Sequence, residues 1–242
     1  MLGRQYNRRF FREQHRLNLV DVPSSKYSVN DYAYLVSNGN VTDPAKVLAD
    51  IDILIQLFAN GNDLGSIIKI PVDLNLKQLE SIATDAEPSL GEMTFDDIEA
   101  ENCREELLAI VEAAKLLSQK YEIAVSNPPY MGSKKMPAVL KKYIAKNYPK
   151  SKSDLCTVFI EKLLNTIDNA GYLGMITQHS WMFTSSFEDL RWSPALLQII
   201  SIETEGTGGL LVRIGNIQLV LARCGSHSPS FLSLTMLRIL WR

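Results

Sequence analysis

Apolar residues recur at helical spacing from Pro44 to Asn60. Val47, Leu48, Ile51, Leu54, Ile55 and Phe58 share one face, and Gly61 follows as a stop signal. The run Ser66 to Ile70, "SIIKI", predicts a short strand ended by Pro71. Asn38-Gly39-Asn40 predicts a turn. A longer helical pattern opens at Thr94, with Asp97 three residues on as a weak capping box. Its apolar face is Phe95, Ile98, Leu107, Leu108, Val111, Ala114 and Leu117.

"YEIAV" (121–125) then predicts a strand, and Pro137 to Tyr148 a basic helix. A further helix is expected from Asp154 to Ile167, with Leu155, Val158, Phe159, Leu163 and Leu164 inward and Gly171 as its end. "YLGMIT" (172–177) predicts a buried strand, and Ser185 with Glu188 a capping box for "SFEDLR". Strand, helix, strand, helix in that order implies a parallel pair joined by a right-handed crossover, hence an α/β fold.

Charge changes this picture locally rather than globally. The net charge of −2 over 242 residues announces no polyanionic partner. Residues 1–16 nevertheless carry five arginines, and residues 131–153 carry seven lysines and no acid. Residues 80–112 hold eleven carboxylates, read as a solvated helix face and helix-start charges. The three cysteines, Cys103, Cys156 and Cys224, are far apart and without histidine clusters, which argues against a disulfide framework or a metal site and suits a reducing cytoplasm. No signal peptide is visible, and the apolar stretches near Ile199 and Phe231 are too short and interrupted to cross a bilayer. From Ser193 onward there are four arginines and no lysines, a compositional break. The expected divisions are therefore 1–93 before the catalytic strand, 94–191 with it, and a divergent tail over 192–242.

The chemistry sits at the end of the first strand. Asn127-Pro128-Pro129-Tyr130 follows "YEIAV" at once, and sites in open α/β sheets lie at the C-terminal ends of strands. Asn127 and Pro128 each precede a proline and are pushed toward extended geometry, while both prolines fix φ. The result is a stiff rim with two acceptors, the Asn127 side-chain oxygen and the Pro128 carbonyl. Two acceptors at fixed spacing suit a planar amino group whose nitrogen is a poor nucleophile. Accepting both N–H bonds localises its lone pair and stabilises the positive charge that develops on attack. Tyr130 offers a face for a base to stack on, and a base inside a duplex must be flipped out to reach it.

This motif resembles that of S-adenosylmethionine-dependent amino-methyltransferases, above all the N6-adenine DNA methyltransferases. "NPPYMGSKKM", "KKYIAKNYPKSKSDL", "VFIEKLL" and "GYLGMITQHSWMF" are similar to the PglX-type adenine methyltransferases of BREX phage-defence systems, as are "RRFFR" and "LGSIIKIP" upstream. The resemblance implies a partial Rossmann-like fold whose first strands are missing, S-adenosylmethionine as methyl donor, and double-stranded DNA with a flipped adenine as substrate. It implies further phage-defence proteins as partners, and no membrane. By it Asn127, Pro128 and Tyr130 bind and activate the adenine and Pro129 shapes the rim.

The family's Gly-rich loop and its acidic partner are not in this sequence. "EGTGG" (205–209) lacks their context and reads as a loop, so no cofactor-binding residue is assigned. The chain is read as an internal fragment, inactive on its own. Lys134, Lys135, Lys141 and Lys142 are either phosphate contacts or a solvated helix face. His179 and Trp181 either line the base pocket or pack the strand exit. A protein-glutamine N5 methyltransferase uses the same rim and is one alternative; a non-catalytic remnant binding DNA or a partner is another.

Overall fold

The computed structural model describes residues 18–38, 41–85, 95–177, 179–191, 199–205, 209–214 and 217–223. Among these the helices are α1 (Ala33–Asn38), α2 (Pro44–Phe58), α3 (Gly61–Leu64), α4 (Leu76–Asp85), α5 (Phe95–Ser118), α6 (Ala138–Asn147), α7 (Leu155–Leu164) and α8 (Glu188–Arg191). The strands are β1 (Tyr121–Ser126), β2 (Ile167–Thr177), β3 (Ile199–Glu205), β4 (Gly209–Ile214) and β5 (Ile217–Arg223). The chain forms two compact units. One is helical, Val20–Lys120 with Lys134–Pro149; the other holds the sheet and includes Tyr121–Ser133 and the chain from Lys150 on.

In the helical unit, α2 begins as its sequence dictates. Asp43 accepts from the Lys46 N–H at 3.1 Å, and Pro44 occupies the first turn, where its missing N–H costs nothing. Val47, Ile51, Leu54 and Phe58 are buried along one face. Gly61 does not stop a helix; it opens α3. It is glycine because a Cβ there would lie 1.8 Å from the Pro23 carbonyl oxygen.

The strand expected at "SIIKI" is absent. Gly65–Ile67 is a 3₁₀ turn, and Ile67 and Ile68 are both buried, which strand alternation forbids when only one face is covered. Tyrosines take the place of a neighbouring strand. The Tyr148 hydroxyl donates to the Ile67 carbonyl at 2.6 Å, and the Lys69 N–H donates to the Tyr143 hydroxyl at 2.8 Å.

The long helix α5 buries Cys103, Leu107, Ile110, Val111 and Ala114, whereas Ile98, placed on the apolar face by its spacing, is 45% exposed. The expected cap at Thr94 lies outside the described residues. Not every carboxylate of this stretch is solvated. Glu106 accepts from the Tyr32 hydroxyl at 2.8 Å, the Ser25 hydroxyl at 3.2 Å and the Lys26 N–H at 3.0 Å. Burial and this neighbouring carboxylate both push the Tyr32 phenol above its ordinary range. Glu80 pairs with Lys115 at 2.7 Å and ties α4 to α5.

In the sheet unit the strand order is β1-β2-β5-β4-β3. β1 and β2 pair in parallel, as the strand–helix–strand order predicts, with Val125 opposite Gly174 and Ser126 opposite Met175. The register shifts between Tyr121 and Ile123, so that Ile167 and Tyr172 serve as their respective partners. β2 is therefore longer than "YLGMIT". The helix α7 ends at Leu164, with Asn165 as its cap, and residues 167–171 belong to the strand rather than to the helix tail. β5 pairs with β2 in parallel, and β4 is antiparallel to both β5 and β3. The stretch after Ser193 thus supplies three strands of the same sheet. One face of β1 and β2 is covered by α7. Ile160 packs with Ile167, Leu173, Met175, Trp181, Phe187 and Leu190, and Ala124 leans on this cluster.

Candidate active site at the ends of β1 and β2

The motif leaves the sheet where the chain stops pairing. β1 ends at Ser126, and Asn127 to Tyr130 run on without regular structure. Pro128 is buried, while Asn127, Pro129 and Tyr130 are exposed. The proline between them is thus anchored, and the amide and the ring on either side face solvent. No peptide bond among the described residues is cis.

The three residues after Tyr130 are pinned. The Leu155 N–H donates to the Met131 carbonyl and the Ser133 N–H to the Ser153 carbonyl, both at 2.9 Å, and Gly132 bridges Asp154. The rim is therefore held at both ends, by the sheet before it and by the start of α7 after it.

Asp154 makes that second anchor. Its Oδ1 accepts from the Cys156 N–H at 2.8 Å and caps α7. The Thr157 hydroxyl lies within bonding distance of the Ser151 carbonyl (2.8 Å) and the Asp154 carbonyl (2.6 Å). Burial pushes the Asp154 carboxyl above its ordinary value, offset in part by the Cys156 N–H.

Asp154 also lines a cavity of about 200 Å³, together with Ser153, Thr157, Ser180, Trp181 and Phe187. Trp181 is buried and donates to the Thr177 hydroxyl at 3.4 Å. It packs the strand exit and contributes to the wall of this cavity. The side chain of His179 lies outside what the structure describes.

The lysines expected to meet phosphate are all exposed: Lys134 and Lys135 in a turn, Lys141 and Lys142 on α6. α6 buries Leu140 and Ile144 on its other side. The N-terminal arginines and "EGTGG" from Gly206 to Gly208 lie outside the described residues. Cys103 and Cys156 are buried thiols. Burial, then the negative charges of Asp31, Glu106 and Glu99, push Cys103 up to about 11. Among the described residues no group of three or more His, Cys, Asp or Glu could hold a metal ion, and no helix is long and apolar enough to cross a membrane.

Nor do the described residues fit an adenosyl cofactor by themselves. The cavity is smaller than the roughly 300–1,000 Å³ of an ordinary ligand pocket. Gly132, the glycine next to the rim, guards no cradle, since a Cβ there would make ordinary contact with Asp154 Oδ2 at 3.9 Å.

Sequence reasoning left Asp154 without a role and passed over two further residues. Phe183 follows the buried Trp181 by two positions and is 77% exposed. Arg191 reaches back to hold the turn that carries it, donating from Nη1 to the carbonyls of Trp181 at 2.8 Å and Thr184 at 2.7 Å.

The chain is similar in sequence to known proteins. The chain is 37% identical over 210 residues to the adenine-specific methyltransferase PglX of Lacticaseibacillus casei (strain Zhang), covering 84% of this chain and 16% of that protein. It is 30% identical over 214 residues to the adenine-specific methyltransferase BrxX of Escherichia coli O9:H4 (strain HS), covering 79% of this chain and 17% of that protein. The chain thus spans about a sixth of the length of these relatives. The model of the Eco57I restriction-modification methylase family matches residues 42–203, from the second helix through the rim and into the sheet. With well over half its length matched, the chain belongs to the Eco57I restriction-modification methylase family.

Proposed function

We propose that this chain is the catalytic segment of a DNA methyltransferase that modifies the N6 amino group of adenine. The observation that carries the reading is the exposed Asn127 and Tyr130, on either side of a buried Pro128, at the C-terminal end of a parallel strand in a member of a methylase family. Asn127 Oδ1 and the Pro128 carbonyl accept the two amino hydrogens of the adenine. Accepting both turns the nitrogen lone pair out of conjugation with the ring and stabilises positive charge as it forms there. Pro129 and the anchored Pro128 keep the acceptors from relaxing, so the electrostatic work is done before the base arrives. Tyr130 stacks on the extruded base, which leaves the duplex to reach the rim. Lys134, Lys135, Lys141 and Lys142 meet phosphates and fix position rather than sequence.

The methyl donor is S-adenosylmethionine by family. The residues described here do not fit it alone, and the relatives' much greater length leaves room for its site elsewhere in a complete enzyme. The parallel β1–β2–β5 strands fit part of a Rossmann-like sheet. The relatives' names support adenine over the glutamine side chain as the acceptor of the methyl group. Partners are double-stranded DNA and other proteins of a phage-defence system, encountered in the cytoplasm.

A chimera tests this reading. The matched segment of this chain replaces its counterpart in the Lacticaseibacillus relative, and N6-methyladenine is measured under single-turnover conditions. The chimera is expected to methylate. Asn127→Ala should slow the chemical step by roughly 10²–10³, the cost of one preorganised contact in comparable sites. A wild-type rate in Asn127→Ala would refute the acceptor rim.

A further inference from the structure

Two further lysines belong to the same compact unit as the rim. Lys150 and Lys152 lie in the turn that leads into α7, and both are exposed. They fall in the sheet unit with Tyr121–Ser133, whereas Lys134, Lys135, Lys141 and Lys142 fall in the helical one.

The turn is anchored through the residue between them. Ser151 is fully buried. Its hydroxyl donates to Glu161 Oε2 at 2.7 Å, and its carbonyl accepts the Asp154 N–H at 3.4 Å. The Thr157 hydroxyl lies 2.8 Å from the same carbonyl. With the backbone fixed at Ser151, mainly side-chain freedom remains to be lost when the two ammonium groups meet a partner.

The turn is also tied to the rim. The Ser133 N–H donates to the Ser153 carbonyl at 2.9 Å, and Gly132 bridges Asp154. Ser133 is three residues past Tyr130, and Lys152 is next to Ser153. Those few links limit the Lys152 Cα to about 22 Å from that of Tyr130, even with the chain between Tyr130 and Ser133 fully extended. That is less than one turn of duplex, about 34 Å.

Charge selects the partner. Residues 131–153 contain no acid. Of the two carboxylates that follow, Asp154 Oδ1 accepts from the Cys156 N–H and Glu161 accepts from Ser151. Neither Lys150 nor Lys152 forms an ion pair among the described residues. Two exposed ammonium groups on an anchored turn, within a turn's length of the rim, suit the phosphates of the strand that enters it.

Resting on the DNA reading above, we propose that Lys150 and Lys152 are positioning residues that hold phosphates of the strand from which the adenine is extruded. They set that strand in place on the rim without reading its sequence, and from within the rim's own unit.

The test uses the full 242-residue chain and a duplex with one mismatched adenine, the kind of base that costs least to extrude. Replacing both lysines with alanine should lower the slope of log affinity against log salt by up to about 1.8, at about 0.9 per phosphate. Replacing both with arginine should keep the slope. Melting temperatures should not change, because both side chains are exposed. A second duplex carries neutral methylphosphonates in place of the five phosphates on either side of the adenine, on its own strand. This replacement should weaken wild type about fivefold more than the alanine variant, as expected for two exposed ion pairs. An unchanged slope in the alanine variant, or equal sensitivity of both proteins to the methylphosphonates, overturns the proposal and leaves the DNA reading to the chimera. A lower melting temperature in both variants assigns the lysines to the fold and also overturns it. If wild type binds no duplex, both readings fall for this chain.

Discussion

Asp154 serves two purposes with one carboxylate, and its variants separate them. Oδ1 caps α7, while burial disfavours the charge. Its folded pKa lies above the ordinary 3.8, so the protonated form is the one that folding favours. That contribution is complete below 3.8 and is lost as pH rises through the folded value. At pH 7 the residue is charged at some cost to the fold. Asp154→Asn keeps the cap acceptor and removes the charge, so its melting temperature at pH 7 should equal or exceed that of the wild type. The gap should close on acidification toward pH 4. Asp154→Ala loses the cap and should destabilise by about 1 kcal/mol at either pH. Thermal melts across pH 4–7 decide, and an Asn variant less stable than Ala would contradict this account. At this scale the sequence reveals what is local. The Asn-Pro-Pro-Tyr rim is visible because proline fixes its own dihedral and constrains the residue before it. Phe183 is not visible, because Trp181 and Phe183 differ in burial only through a 3₁₀ turn that places them on different sides.

Elements were legible in proportion to their length. α2 and α5 are long enough for a helical period to show, and β1 sits within a residue of its apolar run. "SIIKI" is not: three apolar residues in five fit a strand or a buried coil equally, and the tyrosine hydroxyls that satisfy its backbone come from α6 and its C-terminal end, more than seventy residues on. Gly61 shows the same limit. A glycine after a helical run signals a stop, yet here the residue is small because the Pro23 carbonyl oxygen occupies the Cβ position. Gly61→Ala must therefore displace backbone rather than a flexible side chain. A loss of about 1–3 kcal/mol is expected, the usual cost of overpacking. For a chain of this size that lowers the melting temperature by roughly 2–4 °C per kcal/mol. Gly65, the described glycine with positive φ (53°), has open space around its Cβ position, so strain at Gly65→Ala comes from backbone alone. An unchanged melting temperature for Gly61→Ala would mean that the α3 start yields to Pro23 more readily than its geometry indicates.

For the whole molecule, chain order conceals how the units interleave. The segment Tyr121–Ser133 belongs with the sheet, and the next sixteen residues, Lys134–Pro149, belong with helices that precede it. The apolar pattern does not mark these crossings, because both units bury the same aliphatic residues. Charge is what the sequence does display at this scale. A chain with net charge −2 has no general attraction for DNA, so any affinity must come from local clusters. Lys134, Lys135, Lys141 and Lys142 form one, all exposed and all within the helical unit. If they meet phosphate, each contact releases counterions, and the logarithm of duplex affinity falls with the logarithm of salt by about 0.9 per phosphate. Replacing all four with alanine should then reduce that slope by up to about 3.6. The fold should be unchanged, since α6 keeps its buried Leu140 and Ile144. Fluorescence anisotropy with a duplex over a salt series measures the slope. An unchanged slope in the lysine variant would make these residues the solvated helix face that the sequence equally allows, and would leave phosphate contact to other basic residues of the chain.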